Sequence, residues 1–381
     1  MNFCFYSART FESWDWSTPL ETGIGGSETS HVEMAQRLAR RGHLVTSFAP
    51  IPDESRAVGA VRLDGAVWYK CSAPDPFFDG WGDHVFVIYR DPPTVDKIPA
   101  GVPAWLICQD VSYPTMTPER AARFTRIVAL CEDHAQYLKQ LWPYAAEKVC
   151  ISSNGIRSAL IRKFWEHPGR EHRNPKRLIY ASSPDRGLWS LLHIFSRVRE
   201  LIDDVELHVF YGFNNLEKCP DAFPNHPEKA KYIRMMNETL IEALKAPGIV
   251  HHGRIGQRDM IDEWLTSGIW CYPSTFTETS CITCMDAQAC GAIPVTTPVW
   301  AVGENVRYGV MVEGFPDKDP LTKVRYVNEI VRLVQDPERQ DAIRSEMMPW
   351  ALNHFDWENF VTQWEGWAAE DLAKCEKGVA A

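Results

Sequence analysis

Between Thr275 and Val295 the chain reads TFTETSCITCMDAQACGAIPV, with seven residues separating the acids Glu278 and Asp286. The apolar run GIWCYPS precedes them, CITCMDAQAC reads as a helix, and Gly291 and Pro294 stop that helix before a second strand. One carboxylate therefore falls in a strand-to-helix loop. The other lies about two turns into the helix, on the face that looks back to the loop. Backbone N–H groups at the helix start lie between them and form an anion site. Such a pair suits a ligand with hydroxyls at both ends and a diphosphate in the middle, as in a nucleotide sugar. Alone, it reads equally well as an acid near the helix dipole followed by a surface acid.

Three further loops hold chemistry-bearing residues. Gly23-Ile24-Gly25-Gly26-Ser27-Glu28 leads into a helix, where glycines let backbone approach a phosphate or sugar. Its spacing is not G-x-G-x-x-G, so a nicotinamide cofactor is not expected. The plain alternative is Ser27 as a helix N-cap. Just before it, FESWDW places Trp14 and Trp16 either against a sugar ring or over the core. In SSPDRGLWSLL, Arg186 stands in the first turn of a helix, where its guanidinium can clamp a diphosphate, or else pair with Asp185. In HHGRIGQRD, Arg254 supplies a second cation and the Ile255 backbone a contact for a base, unless the arginine is simply solvated.

These loops need strands and helices to hold them. Residues 2–7, HLVTSFAP, HVFVIYR, AWLICQD and RIVALC are short apolar runs of the kind buried on both faces. Helices over Glu28–Arg41, Pro118–Arg123 and Glu132–Leu141 alternate with them, which implies a doubly wound parallel sheet. SSNGIRS is a turn and FWEHPGREHRNP reads as a linker. A second series follows: RLIYASS, a helix from Leu188, then VELHVFYG, GIVHHGRI, GIWCYPS, AIPVTT and YGVMVEG. Residues 213–228 read as an inserted loop, and the chain from Asp336 as helical throughout. The expected fold is α/β, two doubly wound Rossmann-like domains facing across a cleft, with ligands at the carboxyl ends of the strands. The expected domains are 1–165, 166–350, and a terminal helix, 351–381, packing back on the first.

Composition narrows the function. A chain of 381 residues exceeds one ordinary core, and 45% hydrophobic with 24% charged residues is ordinary for a globular protein. A net charge of −10 disfavours nucleic acid as a partner. Eleven cysteines without framework spacing imply reduced thiols and a cytoplasmic protein. Cys281 and Cys284 form a C-x-x-C with no second pair, so they read as packing thiols and no metal site is assigned. No signal peptide or membrane span is expected, and peripheral contact with the inner membrane face stays open.

In order, the GGSE loop, the Asn154–Gly155 turn, the Arg186–Gly187 pair, the E-x7-E region with its tail from Ala287 to Val295, and FDWENF (Phe355 to Phe360) resemble the retaining GT-B glycosyltransferases, specifically glycosyltransferase family 4. The resemblance covers nearly the whole chain. It implies GT-B architecture and metal-independent sugar transfer from a nucleotide-diphosphate donor, with the first domain on the acceptor side and no cofactor. Glu278 would contact the donor sugar and Asp286 the ribose hydroxyls. Amides of Ser280, Cys281, Ile282 and Thr283, with Arg186, would hold the diphosphate, and Gly25 and Gly26 would close over it. Trp14, Trp16, Glu28 and Gln109 would lie on the acceptor side.

Three departures stand out. Asp286 replaces a second Glu. The family's Arg-Lys pair is reduced to Arg186, with Arg254 as compensation. Where relatives place a His, this chain has Leu106-Ile107-Cys108-Gln109-Asp110, so Asp110 or Gln109 takes that position. The expected acceptor is a carbohydrate or lipid-linked sugar. A nucleotide-sugar epimerase or hydrolase, or a non-catalytic nucleotide-sugar-binding protein, are the rival expectations.

Overall fold

The computed structural model describes residues 1–7, 10, 12–52, 61–71, 83–169, 172–213 and 227–379. Residue 11 of FESWDW, residues 170–171 of the expected linker and residues 214–226 of the expected inserted loop lie outside them. The chain forms two compact units: Met1–Leu20, Ile24–Ile156 and Phe355–Ala381 make the first, Glu21–Gly23 and Arg157–His354 the second. Apart from the short Glu21–Gly23 excursion, the chain passes between units after Ile156 and before Phe355, where boundaries at 165 and 350 were expected.

The first unit is built on β1 (Asn2–Tyr6), β2 (Leu44–Ala49), β3 (Val61–Leu63), β4 (Ala66–Lys70), β5 (His84–Tyr89), β6 (Ala104–Ile107), β7 (Arg126–Ala129) and β8 (Val149–Ile151), in sheet order β3-β4-β2-β1-β5-β6-β7-β8. Every pairing is parallel except β3 with β4. The strands run apolar end to end because helices α1 (Thr18–Glu21), α2 (Gly26–Arg40), α3 (Pro118–Arg123) and α4 (Glu132–Leu141) form the crossovers of a parallel sheet, whose two faces are both buried. The β3–β4 hairpin was not anticipated, although Asp64-Gly65 between two apolar runs is a hairpin signal.

The second unit carries β9 (Asn174–Tyr180), β10 (Glu206–Phe210), β11 (Ile249–Gly253), β12 (Ser267–Tyr272), β13 (Ile293–Thr296) and β14 (Val310–Met311), in order β11-β10-β9-β12-β13-β14 and all parallel. Its helices are α5 (Ser158–Trp165), α6 (Leu188–Leu201), α7 (Pro227–Ala243), α8 (Gln257–Thr266), α9 (Ile282–Cys290), α10 (Ala301–Asn305), α11 (Pro320–Val334) and α12 (Pro337–His354). Chain order reverses direction between β1 and β5 in the first sheet and between β9 and β12 in the second. Ligands of open α/β sheets bind outside the strand ends at such switch points.

The C-terminal stretch is not one continuous helix. It breaks at Phe355–Asp356, where Ile156 N–H donates to the Phe355 carbonyl at 2.8 Å and Trp357 N–H donates to the Ile156 carbonyl at 3.3 Å. Beyond the break, α13 (Trp357–Val379) packs into the first unit. Trp364 stacks on Phe5 and donates to Ser152 Oγ at 2.9 Å, and buried Asp371 accepts from Trp105 Nε1 at 2.9 Å and pairs with Arg126. Among the described residues no helix is long and apolar enough to cross a membrane.

Candidate functional site

In the second unit the loops after β9 and β12 meet. Gly187 makes this possible: its φ is +96°, and a Cβ there would lie 2.5 Å from the Pro273 carbonyl oxygen. Only glycine allows that approach without strain. Tyr180, buried in β9, donates its hydroxyl to the Ser183 and Arg186 carbonyls at 2.7 and 3.1 Å and fixes the loop from below.

This packing delivers Arg186 to Glu278. Arg186 Nη1 donates to Glu278 Oε1 at 2.7 Å, and the guanidinium lies 4.1 Å from the Phe276 ring centroid. Tyr272, buried at the end of β12, donates its hydroxyl to the same Oε1 at 2.6 Å. Burial opposes the charge of Arg186, but Glu278, Tyr272 and Asp185 outweigh it and raise its pKa further. Burial, reinforced by Glu278, lifts the Tyr272 pKa well above its ordinary value, so the phenol remains a donor. Among the described residues Arg186 Nε is buried without a hydrogen-bond partner.

Beside this group α9 begins. Its N-cap is Cys281 at φ +62°, with no side-chain cap, so the first N–H groups of the helix are not satisfied by a capping side chain. The Ser280 carbonyl accepts from Asn305 Nδ2 at 2.6 Å, and the Glu278 carbonyl accepts from Ala301 N–H at 3.1 Å, which anchors the loop. Thr283 Oγ1 lies 3.4 Å from Ser182 Oγ across the two loops. Asp286 shares the half-exposed stripe of α9 with Ile282 and Thr283 of the first turn. Arg254 lies 5.7 Å from the Tyr211 ring centroid, and the Ile255 carbonyl oxygen is 2.6 Å from where a Cβ on Gly23 would stand.

In the first unit Gly25 is the N-cap of α2 and Gly26 its first residue. Ser27 is not the cap; its Oγ is buried without a hydrogen-bond partner among the described residues. Glu28 is buried and pairs with Arg90 Nη1 at 2.8 Å. Arg90 Nε also lies 3.1 Å from Asp110 Oδ2. Gln109 turns inward, its amide paired with Asn154 at 3.4 and 3.5 Å, so of Gln109 and Asp110 the more exposed is Asp110. Trp14 is a correction: it is fully buried, 5.1 Å from His31, and packs in the core where a sugar ring cannot reach it. Trp16 is half-buried, 6.0 Å from Trp68.

Tyr272 and Arg90 were missed from the sequence. Tyr272 sits in a run that reads as plain strand, and Arg90 reads as the polar end of one.

Over nearly its full length the chain superposes on several solved structures. Sucrose-phosphate synthase of Thermosynechococcus elongatus matches with a TM-score of 0.69 at 12% identity, over 98% of this chain and 99% of that one. The fold is GT-B. HepE of Anabaena, in complex with UDP and glucose, matches at 0.62 and 15% identity over 97% and 100%. The starch synthase IV catalytic domain of Arabidopsis thaliana, bound to ADP and acarbose, matches at 0.65 and 12% over 98% and 99%. In sequence, the lipopolysaccharide 1,2-N-acetylglucosaminetransferase of Salmonella typhimurium is 24% identical over 193 residues, 49% of this chain and 46% of that protein. The chain thus spans about half the length of this curated relative. No protein-family model matches.

Two other features of the second unit do not add to this site. His208, His252 and Glu263 bring possible metal ligands within 4.8 Å of one another. Arg177 already places a cation among them, bonded to Glu263 and to His208 Nδ1. A cavity of about 730 Å³, lined in part by Phe164, Arg177, Arg258 and Thr266, lies beside the starting ends of β9 and β12, at the far ends from Glu278. In the segment Asp317-Lys318-Asp319, Asp319 is the N-cap of α11 and accepts from the Leu321 and Thr322 amides.

Proposed function

We propose that the chain is a retaining glycosyltransferase of the family 4 kind, with Glu278-x7-Asp286 as its acidic pair, acting without a metal. It moves a sugar from a nucleoside-diphosphate donor to an acceptor hydroxyl. The observation that carries this reading is Glu278 accepting from both Arg186 and Tyr272, beside the uncapped start of α9, at the switch point of the second sheet. Further support comes from GT-B neighbours that bind UDP with glucose and ADP with acarbose, and from a partial relative named for N-acetylglucosamine transfer to lipopolysaccharide.

In this reading the first amides of α9 and Arg186 hold the diphosphate, joined by Arg254. They stabilise the charge that grows on it as the bond to the anomeric carbon breaks. Glu278 binds a donor-sugar hydroxyl and Asp286 the ribose. The acceptor hydroxyl attacks on the face the diphosphate leaves, and its proton passes to the departing phosphate oxygen. The acceptor is a carbohydrate or lipid-linked sugar met at the cytoplasmic membrane face, and Asp110 stands in for the relatives' His.

Screening UDP-, GDP-, ADP- and dTDP-sugars for thermal stabilisation identifies the donor, because a ligand raises the melting point in step with its affinity. The product's anomeric configuration should match the donor's, and EDTA should leave turnover unchanged. A free sugar released without need of an acceptor would instead indicate an epimerase or hydrolase. Stabilisation without turnover would indicate a binding protein.

A further inference from the structure

We infer that Arg90 is the positioning residue of the first unit's ligand site, holding the carboxylates of Glu28 and Asp110 together to receive the hydroxyls of a sugar acceptor. This rests on the transferase reading for the identity of the ligand, but the arrangement itself stands on geometry.

Arg90 is the first residue after β5, at the end of the strand beside β1, where the sheet order reverses. Its backbone is in the left-handed region at φ +63°, which side chains larger than glycine rarely adopt. Such strain persists where the surroundings over-determine it, and it gathers at ligand sites. Here Arg90 N–H donates to the Ile107 carbonyl at 3.3 Å, which ties it to the strand leading to Asp110.

The side chain then divides its donors. Nη1 donates to Glu28 Oε1 at 2.8 Å, while Asp110 Oδ2 lies 3.1 Å from Nε as an ion pair outside hydrogen-bond alignment. The one guanidinium thus stands within ion-pair distance of both carboxylates. Lysine offers the charge but not the fork. The main chain at Asp110 is fixed independently: its N–H donates to the Tyr113 hydroxyl at 2.9 Å and its carbonyl accepts from His134 Nε2 at 3.2 Å. Burial lowers the His134 pKa to about 4, so this anchor is a neutral imidazole. The direction of the Asp110 carboxylate is thus set by Arg90. Asp110 is 41% exposed against 7% for Glu28, so it is the member of the pair presented to a ligand.

Two arms test this. In the first, Arg90→Lys is assayed with whichever of the four nucleotide sugars stabilises the wild type, using glucose, N-acetylglucosamine and their methyl glycosides as acceptor probes. The acceptor KM should rise about tenfold or more, while the donor KM and the affinity for the donor's nucleoside diphosphate hold. A folded Arg90→Lys with acceptor KM within twofold of wild type overturns the inference, because a role limited to neutralising buried Glu28 survives that change. In the second arm, thermal unfolding of Arg90→Gln, Glu28→Gln and the double variant needs no activity. The double variant should unfold no earlier than Arg90→Gln alone; additive losses overturn the inference. If the wild type transfers nothing from any donor, the transferase reading falls and the unfolding cycle alone decides Arg90.

Discussion

Glu278 offers the sharpest test, because its Oε1 accepts two donors of different worth. The Tyr272 hydroxyl, 2.6 Å away, belongs to a side chain 1% exposed. Glu278→Ala leaves that buried hydroxyl without its acceptor, at a cost of about 1–3 kcal/mol. Arg186, 2.7 Å away, has a side chain 34% exposed, so water takes over much of its lost interaction and it adds only about 0–1 kcal/mol. Together the loss is about 1–4 kcal/mol. Glu278→Gln keeps an oxygen that can accept from both donors, so its stability should stay within about 1 kcal/mol of wild type. The two variants therefore separate on unfolding and agree on activity. Urea unfolding of each, with UDP binding followed by calorimetry, measures the first. Sugar release or transfer measures the second, where both should fall on the order of 100-fold as the carboxylate's hold on the donor sugar is lost. Unchanged unfolding in Glu278→Ala would show that the Tyr272 contact carries no weight. Near-normal turnover in a folded Glu278→Gln would sink the donor assignment itself.

Glycine substitutions separate contact from conformation. Gly187→Ala meets the Pro273 carbonyl at 2.5 Å and φ +96°, whereas Gly253→Ala, at φ +74°, meets nothing within 4 Å. The second should cost only the left-handed penalty of about 1–2 kcal/mol, and the first measurably more, with weakened UDP binding as Arg186 is displaced. Equal losses by denaturant unfolding would refute the packing argument. Acid should weaken the first unit through two buried imidazoles. Burial lowers His134 from 6.5 to about 4 and His31 from 6.5 to about 3. The unfolded chain therefore binds protons first: stability is intact above pH 6.5 and falls below it, by about 2 kcal/mol per histidine at pH 5. Unfolding at pH 7.5 and 5 measures the slope, which His134→Gln should flatten; an unchanged slope in that variant would refute the assignment.

The parallel sheets were legible because strands buried on both faces are apolar throughout, and runs such as HVFVIYR and GIWCYPS mark themselves without any partner in view. The E-x7-E loop was legible for a related reason: its acids, the helix start and the stop at Gly291 all fall within one short segment. What escaped depends on strand order. Arg90 stands 62 residues from Glu28, and neither position carries a pattern that points to the other. Tyr272 reads as strand core because its hydroxyl finds Glu278 only after the chain turns back over the end of β12. Trp14 went the other way, since an aromatic in a polar loop looks like a sugar platform until the sheet beneath it is known. These cases share a physical origin. A doubly wound sheet brings together the carboxyl ends of strands distant in sequence, β1 with β5 and β9 with β12, and the charges at those ends act on one another only there. A polar residue that closes an apolar run beside a reversal of strand order therefore carries more functional weight than its local sequence shows, and Arg90, at the end of β5, is the instance in this chain on which that rule can be tried.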